Sequence, residues 1–394
     1  MKEVYVVDGV RTPIGRMGGA LAAFRPEELA AIALKGLIEK TKIDPVILDD
    51  VLIGHACTNN AAVNIARWAL LKAGFPVSVT GQTVERQCGS ALQTVNSAAA
   101  LILAGMGEAY IAGGCESWSN SPYLMERQKI PYSLVPNAFI VKQTGPTPET
   151  DVPMGIIAEI LAEEWGISRE EQDAFALRSQ ELAMKAIDAG YFKEEIVPVT
   201  VPQKKGDPII VDRDEHPRST GLEKLAALNP AFKKGGTVTA GNSSGMNDGG
   251  VALLVTSDTK CKELNLQPKG RFVACALVGV EPKYMGIAPA YAVPKVLDRA
   301  GLKLADMDVV ECNEAFASQT LAVMKELAKQ GHKVDPEKWN PYGGAVAFGH
   351  PNGMSGGRLV LFALNHLKRI NGRYALVTIC IGGGQGIATI FERL

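Results

Sequence analysis

The chain has 394 residues, enough for two or three ordinary domains or one large intergrown unit. The 41 basic and 42 acidic residues leave a formal net charge of −1, so the basic surplus that nucleic-acid binding requires is absent and the ligand is expected to be small. No apolar run approaches the roughly 20 residues that span a bilayer. With no apolar or Arg-rich leader at its start, the sequence predicts a cytoplasmic protein that binds neither nucleic acid nor membranes.

Cysteine usage gives no sign of a metal site. The seven cysteines are odd in number, irregularly spaced and without a C-x-x-C pair, which argues against a zinc ribbon or a redox motif. Most are therefore expected to be small buried side chains in a reducing compartment. They are Cys57, Cys88, Cys115, Cys261, Cys275, Cys312 and Cys380.

Short β-branched runs alternate with helical patterns in the first part of the chain. Strands are predicted at 4–7, 50–53 and 109–112, and helices at 26–39 and 89–104. The helix at 89–104 is rich in alanine on nearly every side, as expected of a helix buried all round. This alternation predicts an α/β fold with βαβ units around a mostly parallel sheet.

Composition changes between residues 118 and 245. Proline and threonine are frequent at 131–153, and 204–234 is polar and turn-rich. Ser168 and Glu171 form a capping-box pattern at the start of a charged helix predicted at 168–190. We interpret this stretch as an inserted loop domain that forms a lid, because such loops often carry ligand contacts.

The first pattern returns after residue 270, with a strand at 271–279, a helix at 288–300 and a strand at 309–311. The repeated order predicts an internal duplication. The expected division is therefore an N-terminal half from 1–117 plus 246–270, a loop domain at 118–245 and a C-terminal half at 271–394.

Cys88 stands where polar residues change abruptly to Cys-Gly-Ser and then to the apolar helix. A thiol at a helix N-terminus lies near unpaired N–H groups, which stabilise negative charge and can lower the thiol pKa. The residue is thus a candidate nucleophile. The alternative is a core cysteine that merely begins a helix.

Glycine-dense loops surround two further candidates. Cys380 ends a buried strand and precedes Gly382, Gly383 and Gly384, whose backbone could bind an oxyanion or simply form a tight turn. His350 lies between glycines and a proline, and a loop histidine of this kind is a candidate base. His55 is a second possibility on residue type alone.

Two polar loops complete the set of candidates. Asn313 follows a predicted strand and precedes a helix, so it is either a helix cap or the holder of a water that donates to an oxyanion. The small polar loop at 239–250 could bind a polar ligand or form a turn. Two cysteines, a histidine and glycine-rich loops could together assemble a nucleophile, a base and oxyanion donors.

At these loops the chain resembles the thiolases, a family that includes acetyl-CoA C-acetyltransferase and 3-ketoacyl-CoA thiolase. The resemblance covers essentially the whole chain, in family order, at 88–90, 112–117, 168–180, 236–249, 313–316, 343–356 and 380–386. It implies a duplicated five-layered αβαβα core with an inserted loop domain, usually as a homodimer or homotetramer. The implied reaction is reversible Claisen condensation of acetyl-CoA, or thiolytic cleavage of 3-ketoacyl-CoA, through a ping-pong acyl-enzyme.

The resemblance also implies a role for each site residue. Cys88 would be the nucleophile, His350 its base and Cys380 the α-carbon proton shuttle. Asn313 would hold a water beside His350 as one oxyanion hole, and the backbone N–H groups of Cys88 and Gly382 would form the other. Coenzyme A and acyl-CoA would be substrates, with no permanent cofactor and no metal. The positions implied in substrate or coenzyme A binding are Arg218, Ser244, Met154, Met285, Ala315 and Phe316.

The chain departs from the family pattern at Pro153, Asn352 and Met354, and 131–153 does not resemble the usual tetramer-forming loop. These departures bear on acyl chain length and oligomeric state. Two alternatives remain open: a related condensing synthase with another acyl acceptor, and a non-catalytic acyl-CoA-binding subunit.

Overall fold

The computed structural model describes residues 2–58, 61–126, 139–140 and 143–394. Its strands, in chain order, are β1 (Val4–Arg11), β2 (Gly15–Arg16), β3 (Asp50–Gly54), β4 (Thr80–Val84), β5 (Ala109–Ser117), β6 (Leu124–Met125), β7 (Phe139–Ile140), β8 (Val199–Val201), β9 (Ile209–Val211), β10 (Asn247–Ser257), β11 (Gly270–Gly279), β12 (Val309–Cys312), β13 (Tyr374–Ile381) and β14 (Gln385–Glu392).

The α-helices are α1 (Pro26–Thr41), α2 (Ile65–Lys72), α3 (Ser90–Leu103), α4 (Met154–Glu164), α5 (Arg169–Asp188), α6 (Leu222–Ala226), α7 (Asp258–Glu263), α8 (Pro289–Ala300), α9 (Ala317–Lys329), α10 (Ala345–Phe348) and α11 (Asn352–Ile370). Short 3-10 turns lie at Pro45–Ile47, Gln87–Gly89, Trp118–Asn120, Pro282–Ile287, Leu304–Asp306 and Pro336–Lys338.

The strand order shows the predicted duplication. In the first half β1 runs antiparallel to β10, β10 antiparallel to β5, and β5 parallel to β3. In the second half β11, β14, β13 and β12 repeat these relations. The two half-sheets meet where β1 and β11 pair over Tyr5–Arg271 and Val6–Gly270. The repeated topology confirms the predicted duplicated α/β core. The expectation of a mostly parallel sheet is wrong, because within the described residues only β3–β4, β3–β5 and β12–β13 pair in parallel, and the strands at the centre of each half are joined antiparallel.

The helices form three layers around the two half-sheets. Helices α3 and α11 pack against each other between them, in a core shared by Leu92, Leu359, Val251 and Val377. Helices α1 and α2 cover the outer face of the first half-sheet, and α8 and α9 cover that of the second. This arrangement is the expected five-layered αβαβα fold.

Close backbone approach explains why β5 is longer than predicted. The pair Gly113-Gly114 looks like the end of a strand, yet β5 continues through it to Ser117. A Cβ at Gly113 would collide with the Val251 carbonyl, and one at Gly114 with the Gly353 carbonyl. The absent side chains therefore let the start of α11 come close to the end of β5.

The segment at 118–245 includes helix α5. Ser168 and Glu171 make both bonds of the predicted capping box at its start. Buried Arg11 of β1 ties this segment to the first half, through Glu195 at 2.7 Å and Asp214 at 2.7 Å. Of the proline-rich stretch at 131–153, residues 131–138 and 141–142 lie outside the described residues. The three-domain division remains a prediction. Within the described residues, no helix is long and apolar enough to cross a membrane.

Candidate active site

Cys88 lies in a tight turn between β4 and α3. Its neighbour Gln87 has a φ of 44°, a conformation uncommon outside glycine. The Ser90 hydroxyl stabilises this turn, because it accepts from the Arg86 amide at 2.9 Å and donates to the Gln87 carbonyl at 2.6 Å. The thiol therefore stands at the N-terminus of α3, as the sequence predicts.

The sulfur of Cys88 borders a cavity of about 390 Å³. Three donors point toward it: the Asn352 side-chain amide at 3.1 Å and the backbone amides of Gly382 and of Cys88 itself. Burial nevertheless raises the pKa of Cys88 to about 11, although each donor lowers it. The expectation of a thiolate-rich Cys88 is therefore wrong for the free protein, because the helix N-terminus does not offset desolvation.

Hydrogen bonds hold both the backbone and the ring of His350 in place. It is 6% exposed, and its backbone amide donates to the Asn247 side chain and the Gly245 carbonyl, each at 3.1 Å. Its Nδ1 lies 2.7 Å from the hydroxyl of Ser355, which donates to the Pro351 carbonyl at 3.1 Å. When the single hydrogen of this hydroxyl goes to the Pro351 carbonyl, Ser355 accepts from Nδ1–H and Nε2 of His350 is unprotonated.

The same burial keeps this ring neutral. Desolvation, and then the charge of Arg358, lower the pKa of His350 to about 3. At neutral pH the site therefore contains an uncharged thiol and an uncharged imidazole with a free Nε2.

Asn313 faces His350 and does not cap a helix. Helix α9 begins only at Ala317, with Phe316 as its N-cap residue, so the capping interpretation is wrong. The amide Nδ2 of Asn313 lies 3.4 Å from Nε2 of His350. Its Oδ1 is buried and has no hydrogen-bond partner among the described residues, so it is free to accept from a small polar guest.

Glu314 fastens the loop of Asn313 to the loop of His350. Its buried carboxylate accepts from Ser179 at 2.6 Å, from the Asn340 side chain at 2.8 Å and from the Val346 amide at 3.2 Å. Val346 belongs to α10, just ahead of His350. The carboxylate therefore sets the spacing between the two loops.

Cys380 lies at the end of β13, 1% exposed. Burial raises its pKa well above the usual range, and the neighbouring Cys88 and Cys312 sulfurs raise it further. The strand then turns through Gly383 and Gly384, whose φ values of 80° and 82° favour glycine. This turn brings the Gly382 amide beside Cys88, so two cysteines from opposite halves meet at the centre of the fold.

The predicted binding residues occupy different places. Met154 lines the cavity next to Cys88, whereas Pro153 is exposed beside it. Met285 and Ala315 are buried in the same apolar cluster as Cys380. The other three lie off the cavity wall: the Ser244 amide donates to the Ala315 carbonyl, Phe316 packs edge-on against Phe232, and the Arg218 amide donates to the side chain of Gln180. Their roles toward coenzyme A remain predictions.

His55 supports the site from behind. Its Nδ1 lies 3.0 Å from the buried carboxylate of Glu116, which also accepts from the backbone amides of Cys57 and Gly353. Burial alone would lower the pKa of His55, but the hydrogen bond and charge of Glu116 outweigh it, and the pKa is raised. His55 therefore braces the cavity wall and the start of α11.

Sequence reasoning overlooked two contacts. Asn352 was expected to help set the acyl pocket, but the contact of its amide with the Cys88 sulfur was not foreseen. A polar residue just after His-Pro at a helix start was the available signal. Ser355 is five residues after His350, in the first turn of α11, but nothing in the sequence pairs them. Among the parts of the chain that the structure describes, no cluster of His, Cys, Asp or Glu could hold a metal ion.

Comparisons with known proteins identify the family of the chain. Residues 4–259 match the family model "Thiolase, N-terminal domain" and residues 266–393 match "Thiolase, C-terminal domain". The 3-oxoadipyl-CoA/3-oxo-5,6-dehydrosuberyl-CoA thiolase of Escherichia coli is 47% identical over the full length of both chains. The acetyl-CoA acetyltransferase of Chromobacterium violaceum is 46% identical over 99% of this chain and 100% of its own.

Solved structures are equally similar. The Bacillus anthracis acetyl-CoA acetyltransferase superposes with a TM-score of 0.94 at 42% identity, over 100% of this chain and 99% of its own. The human mitochondrial 3-ketoacyl-CoA thiolase in complex with CoA has a TM-score of 0.92 at 38% identity, over 100% and 98%.

Proposed function

The chain belongs to the thiolase family, and we propose that Cys88 carries the acyl group in its reaction cycle. The protein is a coenzyme A-dependent acyltransferase that cleaves 3-ketoacyl-CoA with coenzyme A, or condenses acyl-CoA with acetyl-CoA. The observation that carries the assignment of Cys88 is its place on the cavity wall, with donors around the sulfur and the second cysteine behind it. Neither a synthase with another acceptor nor a non-catalytic subunit is favoured.

Acylation begins with a neutral pair. As the Cys88 sulfur attacks the thioester or ketone carbonyl, its proton passes to Nε2 of His350, which the Ser355 contact keeps free. A carbon–sulfur bond forms to Cys88, and the bond to the leaving group breaks. When the acyl donor is an acyl-CoA, the imidazolium returns the proton to the leaving coenzyme A thiolate. In cleavage, Cys380 protonates the α-carbon of the departing acetyl-CoA, and His350 keeps its proton until deacylation.

Two sets of donors are suited to the oxyanions of this chemistry. We assign one to the backbone amides of Cys88 and Gly382, which already point toward the sulfur. The other is Nε2–H of His350, while the ring carries the proton taken from Cys88, together with a water held by Asn313, whose buried Oδ1 has no partner among the described residues. Preorganised donors of this kind stabilise charge that develops in the transition state.

Cys380 is the proposed acid–base group for the α-carbon. Its raised pKa keeps it a thiol at neutral pH, which is the form that protonates the acetyl-CoA carbanion during cleavage. In condensation the same sulfur, once deprotonated, removes a proton from acetyl-CoA, and the carbanion attacks the acyl group on Cys88. The burial that makes its thiolate rare also makes that thiolate a strong base.

We further propose that the protein works in the cytoplasm as a homo-oligomer without a permanent cofactor. The edge strand β4 supports association, because it is half-exposed and, among the described residues, pairs only with β3, while the opposite edge strand β12 is buried and bridged to Trp339. An open sheet edge is a template for pairing with another chain. Light scattering over a range of protein concentrations measures the mass, and a strictly monomeric mass contradicts the proposal.

The central test is turnover by the purified protein alone. Acetoacetyl-CoA and coenzyme A should yield two molecules of acetyl-CoA per cycle. Chromatography measures this product. Without coenzyme A, acetyl-CoA should add the mass of one acetyl group to the peptide that contains Cys88. A protein that acquires no acyl group, or acquires it on another residue, contradicts the proposed role of Cys88.

A further inference from the structure

Asn352 has both ends of its side-chain amide engaged at the nucleophile. It is the first residue of α11, whose N-cap position is Pro351 and has no side-chain cap. Its Oδ1 accepts from the indole N–H of Trp118 at 2.8 Å, and its Nδ2 donates to the sulfur of Cys88 at 3.1 Å. The side chain therefore links an aromatic wall of the cavity to the reacting atom.

The indole determines which way this amide faces. The Nε1–H of Trp118 can only donate, so the oxygen of Asn352 must face it and the NH₂ group must face Cys88. Were the amide flipped, two donors would meet at Trp118 and a lone pair would face the sulfur. Trp118 is thus a positioning residue for the donor that Asn352 presents.

We propose that Asn352 is a further catalytic residue, whose amide N–H, oriented by Trp118, stabilises negative charge on the Cys88 sulfur when the acyl–sulfur bond breaks. In deacylation the incoming thiolate or carbanion forms a bond to the acyl carbon, and the electron pair of the carbon–sulfur bond goes to Cys88. In cleavage, the proton that His350 took from Cys88 returns to that sulfur, and the proton of the incoming coenzyme A restores Cys380. In condensation, the sulfur receives the proton that Cys380 took from acetyl-CoA. This inference rests on the proposed acyl role of Cys88.

The charge on the sulfur needs such a donor because its surroundings oppose it. The buried carboxylate of Glu116 disfavours a Cys88 thiolate, and Cys380 presents a second sulfur with no positive charge. His350 becomes cationic only while it holds the proton. Hydrogen bonds to a charged group are among the stronger ones in proteins, so loss of this donor should slow deacylation by about tenfold.

The experiment compares Asn352→Leu with Asn352→Asp. The two side chains are close in size to asparagine and both lack the donor, but aspartate adds negative charge beside the sulfur. Trp118→Phe keeps the ring and removes the indole N–H. Circular dichroism and thermal unfolding establish that each variant is folded before it is assayed.

Two readouts separate this inference from the proposed function. The first is the pH dependence of Cys88 alkylation by iodoacetamide, mapped by mass spectrometry, which needs no acyl-CoA. The inflection should move to higher pH in Asn352→Leu, further in Asn352→Asp, and less in Trp118→Phe. The second is the rate at which coenzyme A removes the acetyl group in rapid-quench experiments, which should fall in the same order.

An alkylation profile that is unchanged in Asn352→Leu overturns the inference and leaves the proposed function intact. So does an unchanged deacylation rate, because Asn352 would then only shape the cavity. A wild-type protein that never acquires an acetyl group on Cys88 overturns the proposed function and the catalytic part of the inference together. In that case the shift in the alkylation profile still reports the hydrogen bond itself.

Discussion

The hydroxyl oxygen of Ser355 lies 2.7 Å from Nδ1 of His350. The same hydroxyl lies 3.1 Å from the Pro351 carbonyl. When its single hydrogen goes to that carbonyl, the ring supplies the proton of the shared bond. In this way a residue that never reaches the cavity determines which ring nitrogen of His350 is free.

Replacing Ser355 with alanine should therefore slow acylation of Cys88 by about three- to tenfold, because a lost neutral hydrogen bond is worth about 0.5–1.5 kcal/mol. The imidazole ¹⁵N shifts of His350 should change from one dominant tautomer toward a mixture. Thr389→Val is a matched control, since its buried hydroxyl bonds to Asn96 at 2.9 Å, in a contact that does not include His350. If both variants lose the same fraction of the acylation rate, the contact between Ser355 and His350 does not control the tautomer.

Cys88→Ala should abolish the acetyl adduct while leaving the fold intact, because a thiol lost from a cavity wall leaves little void. In the wild type, substoichiometric iodoacetamide should label Cys88 ahead of the buried cysteines, and prior acetylation should protect it. Since the pKa of Cys88 is raised to about 11, the alkylation rate should keep rising with pH well beyond neutrality. A plateau near pH 7 contradicts the raised pKa of Cys88, and an adduct on another residue in the variant contradicts its assignment as the nucleophile.

Because the pKa of His350 is lowered to about 3, its base form is present throughout the neutral range. The acetylation rate constant should then show no inflection near pH 6.5, where an ordinary histidine titrates. Activity that requires the unprotonated ring is therefore lost only as the pH falls toward 3. Stopped-flow acetylation between about pH 5 and 8 checks this, and an inflection near 6.5 would show that burial does not control the ring.

Cys380→Ser should affect the α-carbon chemistry far more than acyl loading. Attack on a thioester uses Cys88 and His350, whereas a serine hydroxyl is much too weak an acid to exchange the α-proton at neutral pH. Labelled acetyl-CoA should still label the variant, while turnover of acetoacetyl-CoA collapses. Near-normal turnover would show that Cys380 does not shuttle the proton.

Acyl chain preference should depend on Asn352, which lines the cavity beside Cys88. We expect a graded profile that differs from that of a strict acetoacetyl-CoA enzyme, because one methylene in a pocket is worth only about 1–3 kcal/mol. The measurement is kcat/KM for 3-ketoacyl-CoAs of increasing length and for 3-oxoadipyl-CoA, in the wild type and Asn352→Ile. Identical relative profiles would remove Asn352 from acyl selection.

The pair His55–Glu116 should make stability depend on pH. The pKa of His55 is raised in the folded state, so its contribution is fully present below the unfolded pKa near 6.5 and is lost as the pH rises through the folded pKa. Urea unfolding of the wild type and His55→Gln should thus differ more at about pH 5.5 than at about pH 9. A difference that is constant, or larger at high pH, contradicts the pairing.

The sequence alone was sufficient for the α/β class, for several strands and helices of each half, for the expectation of a duplication and for the place of Cys88 before a buried helix. These features are local, because hydrophobic periodicity, helix capping and turn formation depend on residues that are close in sequence, as the Ser168–Glu171 capping box shows. The family resemblance added the expected roles of His350, Asn313 and Cys380. Where local signals misled, as at Gly113 and Gly114, close packing against a distant strand was the cause.

Only the tertiary structure decided the electrostatics of the site. The helix N-terminus predicted a lowered pKa for Cys88, but desolvation raises it, and desolvation depends on atoms contributed by every layer of the fold. The sequence also did not predict the partners of Asn352 and Ser355 on α11. Asn352, for example, contacts Cys88, which is 264 positions away in the chain. Contacts of that kind leave no periodic trace in a single sequence, because each depends on how the two half-sheets pack around α3 and α11.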